Sequence, residues 1–175
     1  MAGPPSGRRT ASTLRGAQVL LRRVTEADVP ALEQILREPE VKRWWMRDTW
    51  DRIDEEGSVT YTILVDGAVV GCIAYAEETD PDYRHAGVDL FVSSHHQGRG
   101  VGSDALRTLI AHLIDDLGHH RVIIDPAVDN ARAVHVYEKL GFRRVGVMRR
   151  YERIADGVWR DGLLMELLAD EFVRV

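Results

Sequence analysis

Short apolar runs and longer amphipathic stripes alternate along the chain, and their order predicts one mixed sheet with helices packed against it. Strand-like runs occupy residues 18–24, 59–65, 68–76, 86–92, 121–124, 142–149 and 157–168. Helical patterns follow Thr25, fall within residues 41–56, and extend over residues 101–117 and about 130–140. The resulting order, βααβββαβαββ, places the chain in the α/β fold class, as an α+β arrangement around a mixed sheet.

Capping and turn residues mark where several of these elements begin or end. Thr25 has the side chain expected of a helix N-cap, and Asp129 or Asn130 is expected to cap the last helix. The Asp66-Gly67 dipeptide between two apolar runs predicts a tight β-hairpin, because both residues tolerate a positive φ. Residues 77–82 contain four acidic side chains and a proline, and they are predicted to form a loop.

The composition fits one globular domain and narrows its chemistry. The chain has 175 residues, of which 28 are acidic and 23 basic, and its formal net charge is −5. This acidic balance disfavours non-specific binding of nucleic acid, which requires a basic surface, and it leaves room for a cationic substrate. The single cysteine, Cys72, excludes an internal disulfide framework and falls in an apolar run, where a core position is expected.

The N-terminal residues 1–13 are small, polar and rich in Pro, Gly and Ser, which predicts a disordered tail before a single domain over residues 14–175. The tail contains Arg8-Arg9, but no apolar run of export-signal length follows this pair. The chain also lacks a stretch of about 18 consecutive apolar residues, the length of a membrane-spanning helix. These features predict a cytoplasmic protein that does not associate with a membrane.

The sharpest chemical feature is the glycine-rich segment Gln97-Gly98-Arg99-Gly100-Val101-Gly102, between a predicted strand and a long predicted helix. Glycines allow successive N–H groups to face one concavity, and a helix N-terminus adds partial positive charge, so the segment is a candidate phosphate cradle. A tight turn without a ligand is the alternative. No Gly-Lys-[Ser/Thr] follows, which excludes a P-loop. Gly100-x-Gly102-x-x-Ala105 matches a dinucleotide fingerprint, but residues 93–99 separate it from the preceding strand, which disfavours a Rossmann fold.

Two motifs resemble the GNAT superfamily of acetyl-CoA-dependent N-acetyltransferases. Gln97-x-x-Gly100-x-Gly102 is similar to its [Gln/Arg]-x-x-Gly-x-[Gly/Ala] signature, and residues 129–142 are similar to its Asn-x-x-Ala…Tyr-Glu-Lys-x-Gly-Phe segment. The resemblance extends from about residue 19 to residue 172 and implies the GNAT acyl-CoA N-acyltransferase fold, a central, mostly antiparallel sheet flanked by helices. The aminoglycoside 6′-N-acetyltransferases, which are antibiotic-resistance enzymes, are the most similar members, through features such as Trp44-Trp45 and Asp125-Pro126.

The resemblance implies which residues bind the acetyl donor and carry the chemistry. Acetyl transfer from a thioester to an amine requires that the amine lose a proton, that an oxyanion be stabilised and that the leaving sulfur be protonated. Asp89 is the implied base, directly or through water, and Tyr137 is the implied general acid; a locally hydrogen-bonded aspartate and a core tyrosine are the structural alternatives. The residues implied to bind acetyl-CoA, or CoA as product, are Leu90, Phe91, Val92, Gln97, Gly98, Arg99, Gly100, Val101, Gly102, Ser103, Asn130, Ala133 and Tyr137.

The implied acceptor is a small cationic amine, with the 6′-amine of an aminoglycoside as the first expectation. Its implied binding residues, expected to converge on one side of the donor, are Trp44, Trp45, Glu77, Glu78, Asp80, Asp89 and Asp125. A solvated acidic loop and tryptophans packed in the core are the alternatives for these positions.

Other functions stay open at this stage. Residues 156–165 also resemble protein-alanine acetyltransferases, so a protein N-terminus or a polyamine is the alternative acceptor. The non-enzymatic alternative is an acyl-CoA-binding sensor module. His95-His96 and His119-His120 lack a third spaced ligand, so no metal is expected. A monomer or a homodimer is expected, without a nucleic-acid or membrane partner.

Overall fold

The computed structural model describes residues 11–46 and 57–174. Within them, eight strands form one sheet in the order β1-β2-β3-β4-β5-β6-β8-β7. The strands are β1 (Thr13–Arg15), β2 (Leu20–Arg23), β3 (Ser58–Val65), β4 (Ala68–Glu78), β5 (His85–Val92), β6 (Arg121–Ile124), β7 (Arg143–Ala155) and β8 (Val158–Leu168). The helices are α1 (Val29–Leu36), α2 (Pro39–Lys42), α3 (Val101–Ala111) and α4 (Ala131–Lys139), and single 3-10 turns precede α1 and α3.

The sheet opens at its centre. Every neighbouring pair of strands is antiparallel except β5 and β6, which are parallel. These two strands pair only through Ala86–Val122 and Gly87–Ile123, although β5 continues to Val92. The second half of β5 therefore diverges from β6 and leaves a wedge-shaped opening in the middle of the sheet.

Side-chain alternation along β4 and β5 divides the core between the two faces of the sheet. Ile73 and Val88 belong to a large apolar cluster with α3, whereas Cys72 and Phe91 belong to a smaller cluster with α1. Cys72 is 2% exposed, which confirms its predicted core position. Asp89 pairs with Ala74 and shares the face of Cys72 and Phe91, because side chains two residues apart point to the same side.

The start of α1 is fixed by a buried carboxylate that links three elements. Asp28 accepts hydrogen bonds from the backbone N–H of Thr25 (2.9 Å), the hydroxyl of Thr62 (3.0 Å) and the guanidinium of Arg22 (2.7 Å). Burial alone would raise the pKa of Asp28, but these hydrogen bonds outweigh it and lower the pKa. The predicted apolar stripe of α1 is buried, with Leu32, Ile35 and Leu36 in the core.

Predicted turns and caps agree with the structure in most places. Asp66 and Gly67 join β3 and β4 with φ values of +50° and +80°, which confirms the hairpin. Asn130, rather than Asp129, caps α4, because its side chain accepts a hydrogen bond from the backbone N–H of Ala133 at 3.2 Å. The long predicted helix after Gly100 continues beyond α3 as a π-helical turn over His112–Asp116.

Three features differ from the prediction. Glu77 and Glu78 were assigned to a loop, but they extend β4 and pair with Ala86 and His85, because hydrogen bonds to β5 outweigh their low strand propensity. β1 was missed, since three residues carry no detectable pattern. β7 continues beyond the predicted end at residue 149 as far as Ala155.

Other predictions fall partly or wholly outside the described residues. Most of the tail predicted over residues 1–13, including Arg8-Arg9, lies outside them, and Thr13 begins β1. Of the helices predicted within residues 41–56, residues 47–56 also lie outside them.

Candidate active site

Two cavities meet at the opening in the sheet. We call the first the glycine cleft: it measures about 690 Å³ and is lined by Gly98, Gly100, Gly102 and the first turn of α4. We call the second the carboxylate cavity: it measures about 760 Å³ and is lined by Asp89, Asp125 and Glu152. The residues common to both linings are Trp44, Trp45, Leu90, Asn130 and Tyr137. The two cavities are therefore adjacent compartments separated by a thin wall.

The glycine cleft has the backbone geometry of an anion cradle. Gly98 and Gly100 have φ values of +75° and +82°, in the left-handed region that favours glycine, and Gly100 is the N-cap of α3. The first turn of α3 therefore presents backbone N–H groups that no intrahelical carbonyl can satisfy, together with the positive end of the helix dipole. A Cβ added at Gly100 would lie 3.1 Å from Nε2 of Gln18, so the space at this position is needed as well as the conformation.

Side chains fix this loop and add positive charge. Gln97 donates to the carbonyl of Val92 at 2.8 Å and accepts from Arg132 at 2.9 Å, which ties the end of β5 to α4. Arg132, Arg43 and Lys139 line the cleft and were not identified from the sequence. These three cations outnumber the two acidic side chains of the lining, Glu40 and Asp129, which favours an anionic ligand in this compartment.

The other sequence-predicted residues of this group divide into two sets. Phe91, Val92, Ser103 and Ala133 line the glycine cleft with Leu90, Asn130 and Tyr137. Arg99 is exposed and does not belong to the lining, and the side chain of Val101 is 2% exposed and packs in the core. The side chains of these two residues therefore contribute nothing to the lining of the glycine cleft.

A carboxylate behind the cradle fixes the turn that leads into it. Glu38 accepts hydrogen bonds from the hydroxyl of Ser93 at 2.9 Å and from the backbone N–H of Ser94 at 2.6 Å. Burial would raise the pKa of Glu38, but these hydrogen bonds lower it on balance. Glu38 therefore connects α2 to the 3-10 turn that precedes the glycine-rich segment.

The carboxylate cavity collects acidic groups from separate strands. Asp89 lies on the diverging half of β5, where one of its carboxylate oxygens accepts the backbone N–H of Leu90 at 3.0 Å. Asp125 directly follows β6, and its carboxylate accepts a hydrogen bond from the phenol of Tyr151 on β7. This bond, more than burial or the charge of Asp89, raises the pKa of Tyr151 to about 12, so its hydroxyl stays protonated at neutral pH.

Tyr137 lies in the wall between the two compartments. Its side chain extends from α4, is 9% exposed and packs against Phe142 with ring centroids 6.1 Å apart. Burial raises its pKa well above the usual value for tyrosine, and the negative charges of Asp89 and Asp125 raise it further. Tyr137 therefore presents a protonated hydroxyl at the junction.

Trp44 and Trp45 form another part of this wall, and they are held from two directions. Arg160 donates to the carbonyl of Trp44 at 2.9 Å and also pairs with Glu152 across the β7–β8 hairpin. Trp45 packs edge-on against Phe91, with ring centroids 5.0 Å apart. Both tryptophans are half-buried and line both compartments.

The structure does not bring Glu77, Glu78 and Asp80 into the carboxylate cavity, so the expected convergence of all the acidic residues is wrong. Glu77 points to the α3 face, where its Oε1 lies 2.6 Å from Nε2 of the buried His119. Glu78, at the end of β4, and Asp80 accept backbone N–H groups of residues two positions later, each at 2.9 Å, and so stabilise the loop that follows β4. Only Asp80 belongs to the acidic loop that the sequence left open as an alternative.

Sequence reasoning missed Tyr151, Glu152 and Arg160, although all three line the carboxylate cavity. They lie in the hairpin of β7 and β8, more than 20 residues after Asp125. The segment Arg149–Arg153 has four charged side chains around one tyrosine and no apolar periodicity, and no motif marks it. Only the pairing of β8 with β6 brings this hairpin to the end of β6.

The arrangement of the two compartments specifies a chemistry. Backbone N–H groups and cationic side chains suit a phosphate-bearing ligand in one, and carboxylates suit an ammonium group in the other. The protonated phenol of Tyr137 lies at the junction, where a group could pass from one ligand to the other, and Asp89 lies in the carboxylate cavity next to the junction residue Leu90. Among the described residues, no cluster of three or more His, Cys, Asp or Glu side chains could hold a metal ion. No helix within those residues is long and apolar enough to cross a membrane.

Comparison with known proteins agrees with this chemistry. The model of the acetyltransferase (GNAT) family matches residues 27–142. An aminoglycoside N(6′)-acetyltransferase type 1 from Klebsiella pneumoniae is 30% identical over 155 residues, which cover 74% of this chain and 76% of that protein. A spermidine N(1)-acetyltransferase from Vibrio cholerae is 21% identical over 169 residues, which cover 90% and 97% of the two chains.

Similar structures have the same fold. Mycobacterium smegmatis RimJ in complex with CoA-disulfide superposes with a TM-score of 0.79 at 26% identity, and the match covers 93% of this chain and 88% of that one. The two relatives are thus both acetyltransferases and are named for different acceptors.

Proposed function

The chain belongs to the GNAT family of acetyltransferases, whose donor is acetyl-CoA, and we propose that it acetylates a primary amine of a cationic acceptor, with the 6′-amine of an aminoglycoside as the first candidate. The observation that carries this proposal is the carboxylate cavity, which adjoins the glycine cleft through Tyr137.

The glycine cleft fits the donor. Its left-handed glycines and the first turn of α3 would hold the pyrophosphate, and Arg132, Arg43 and Lys139 would add charge around it. When bound, acetyl-CoA supplies an acetyl group activated as a thioester. Leu90 and Val92, on the diverging half of β5, offer backbone groups along the path from the cradle to the junction.

On the acceptor side, Asp89 attracts the ammonium form of the amine and accepts its proton, directly or through water. Loss of that proton exposes the nitrogen lone pair needed for attack. Asp89 suits this role by position, because it lies on β5 beside Leu90, a residue of the wall between the compartments.

Tyr137 faces the leaving sulfur in this proposal. Its raised pKa means that Oη holds its proton at neutral pH and donates a hydrogen bond. A phenol with a raised pKa is a weak acid, so its contribution is stabilisation of developing negative charge on sulfur by hydrogen bonding more than complete proton transfer.

Two acceptor classes fit a cavity lined by Asp89, Asp125 and Glu152. Aminoglycosides have the support of the 30% identical relative, and they carry several ammonium groups. Polyamines are the second candidate, supported by the same carboxylates and by the spermidine acetyltransferase that matches 90% of the chain. An N-terminal peptide has one ammonium group and can pair it with fewer of these carboxylates.

The test is thiol release from acetyl-CoA with kanamycin, spermidine and an alanine-terminated peptide as separate acceptors. Turnover of kanamycin, with product analysis that locates the acetyl group at the 6′-amine, would support the first candidate. Turnover of spermidine or of the peptide alone would replace it. CoA binding without turnover of any amine would favour an acyl-CoA-binding module.

A matched pair of variants tests the role of Asp89. Asp89→Asn should lower kcat by about 10²–10⁴-fold, the usual contribution of a general base, while CoA affinity is unchanged. Asp66→Asn is the control, because Asp66 is exposed in the β3–β4 turn and asparagine tolerates its positive φ. Unchanged turnover in Asp89→Asn would remove this residue from the catalytic role.

A further inference from the structure

An irregularity in the β7–β8 hairpin carries Tyr151 into the carboxylate cavity. Two pairs of the hairpin, Met148–Gly162 and Glu152–Arg160, are separated by three residues on β7 but by a single residue on β8. Tyr151 is the last of those three residues. Extra residues on one strand bend it and change the direction of a side chain, which explains how Tyr151 reaches across to the end of β6.

Three neighbouring residues hold this irregular turn in place. Arg150 has a φ of +52°, in the left-handed region that a bulky side chain rarely adopts. The carboxylate of Asp161 accepts the backbone N–H of Arg150 at 2.7 Å. Gly162 leaves room for the ring, because a Cβ there would lie 2.8 Å from Cδ1 of Tyr151. Strained conformations that the surroundings maintain in this way are concentrated at functional sites.

The irregular turn brings the hydroxyl of Tyr151 to Asp125 inside the cavity. Oη of Tyr151 donates a hydrogen bond to Oδ2 of Asp125, which restrains the carboxylate in the loop after β6. Asp89 lines the same cavity from β5, and the charges of both aspartates act on Tyr137 and on Tyr151. Glu152, the third carboxylate of the cavity, already pairs with Arg160. The other two are Asp89 on β5 and Asp125 after β6, and a phenol from the hairpin restrains Asp125.

We propose that Tyr151 is a positioning residue that restrains Asp125 to bind a second ammonium group of the acceptor, while Asp89 faces the amine that is acetylated. The inference rests on the proposed function and narrows its substrate class to amines with at least two cationic nitrogens. A single ammonium group would leave one of the two carboxylates without a cationic partner from the substrate.

The test compares 1,4-diaminobutane with butylamine, which differ by one ammonium group. Tyr151→Phe keeps the ring and removes the hydroxyl. In this variant we expect the KM for the diamine to rise about tenfold, the cost of one hydrogen bond to a charged group, with little change in kcat and no change for butylamine. Tyr83→Phe is the matched control, because Tyr83 is 73% exposed and does not line the cavity.

Calorimetric titration of both amines separates this inference from the proposed function. Tighter binding of the diamine than of butylamine by the wild-type protein, with the preference reduced in Tyr151→Phe, supports the inference even if neither amine is acetylated. An equal loss of affinity for both amines would show a general structural effect and overturn it. The same diamine preference in wild type and Tyr151→Phe would also overturn it.

Discussion

The glycine cleft and the carboxylate cavity share one wall but are built in different ways. The cleft is formed mainly by two continuous segments, the loop and first turn of α3 and the start of α4, and much of its proposed contact with a ligand is made by backbone N–H groups. The cavity takes Asp89 from β5, Asp125 from the end of β6, and Glu152 with Tyr151 from β7, and it acts through side chains. A site made of backbone N–H groups keeps its binding groups when neighbouring side chains are substituted. A site made of side chains gains or loses a binding group with each substitution.

The difference explains how one fold serves different acceptors. A phosphate-bearing donor common to a family requires only a loop conformation and a helix N-terminus, which a short motif encodes. In the proposed function an acceptor is recognised by side chains from distant strands, and the hairpin of β7 and β8 supplies several residues of the carboxylate cavity. Relatives at 30% and 21% identity are accordingly both acetyltransferases and are named for different acceptors.

The largest expected effect is the loss of CoA affinity in Gly100→Asp, which changes the glycine cleft and leaves the carboxylate cavity intact. The aspartate would have to adopt a φ of +82°, would crowd Gln18 and would repel phosphates. We expect CoA affinity measured by calorimetry to fall by about a hundredfold or more, which corresponds to nearly 3 kcal/mol, and turnover of every acceptor to fall with it.

Gly67→Asp is the control for that loss. Gly67 has a φ of +80°, but no described atom lies within 4 Å of a Cβ placed there. This variant introduces the same backbone strain at a position outside the cradle. Its stability should therefore fall while its CoA affinity is retained. Wild-type CoA affinity in Gly100→Asp would show that the donor does not bind at this loop.

A smaller effect, on kcat alone, is expected from Tyr137→Phe at the shared wall. The variant keeps the packing against Phe142 and removes the hydroxyl, so kcat should fall by about ten- to a hundredfold, while CoA affinity and the KM of the acceptor stay within about twofold. Steady-state kinetics with both substrates varied would measure each parameter.

Tyr61→Phe is a suitable comparison, because Tyr61 is also a buried tyrosine, and its hydroxyl donates to the carbonyl of Ala11 away from both cavities. It should cost about 1 kcal/mol of stability and leave kcat unchanged. If Tyr137→Phe also loses stability without a change in kcat, Tyr137 is a packing residue and its hydroxyl has no role as a general acid.

The smallest effect concerns His119, which belongs to neither cavity. Burial lowers the pKa of His119 below its usual value, although the hydrogen bond to Glu77 opposes this shift. Since the folded state then binds fewer protons than the unfolded state, stability should be lost as the pH falls below about 6.5, the value for an unfolded histidine. Urea unfolding between pH 5 and 7.5 would measure this loss.

His119→Gln should reduce that dependence on pH, because glutamine can donate to Glu77 but does not titrate. Donor and acceptor binding at neutral pH should stay close to wild type. An unchanged pH dependence of stability in this variant would assign the loss to other groups.

Local patterns predicted the elements whose conformation is set by residues close together in sequence. The apolar stripe of α1, the hairpin at Asp66-Gly67 and the start of α3 at the glycine segment all depend on residues within a few positions of one another. The donor motifs could be identified for the same reason, because the cradle and the start of α4 are each formed by one short continuous segment. Glu77 and Glu78 were misassigned because their strand conformation depends on pairing with β5.

The acidic excess shows the limit of that reasoning. Composition and order along the chain suggested that Glu77, Glu78 and Asp80 join Asp89 and Asp125, but strand alternation turns Glu77 toward His119, and Glu78 and Asp80 bond to the loop that follows β4. The sequence by itself determined the order of most helices and strands through local periodicity, and its two short motifs resemble those of the family and so implied the fold and the glycine cradle. Only the tertiary structure decided which carboxylates line the cavity proposed for the acceptor and that Tyr151 bonds to one of them, because strand pairing over long separations brings those side chains together.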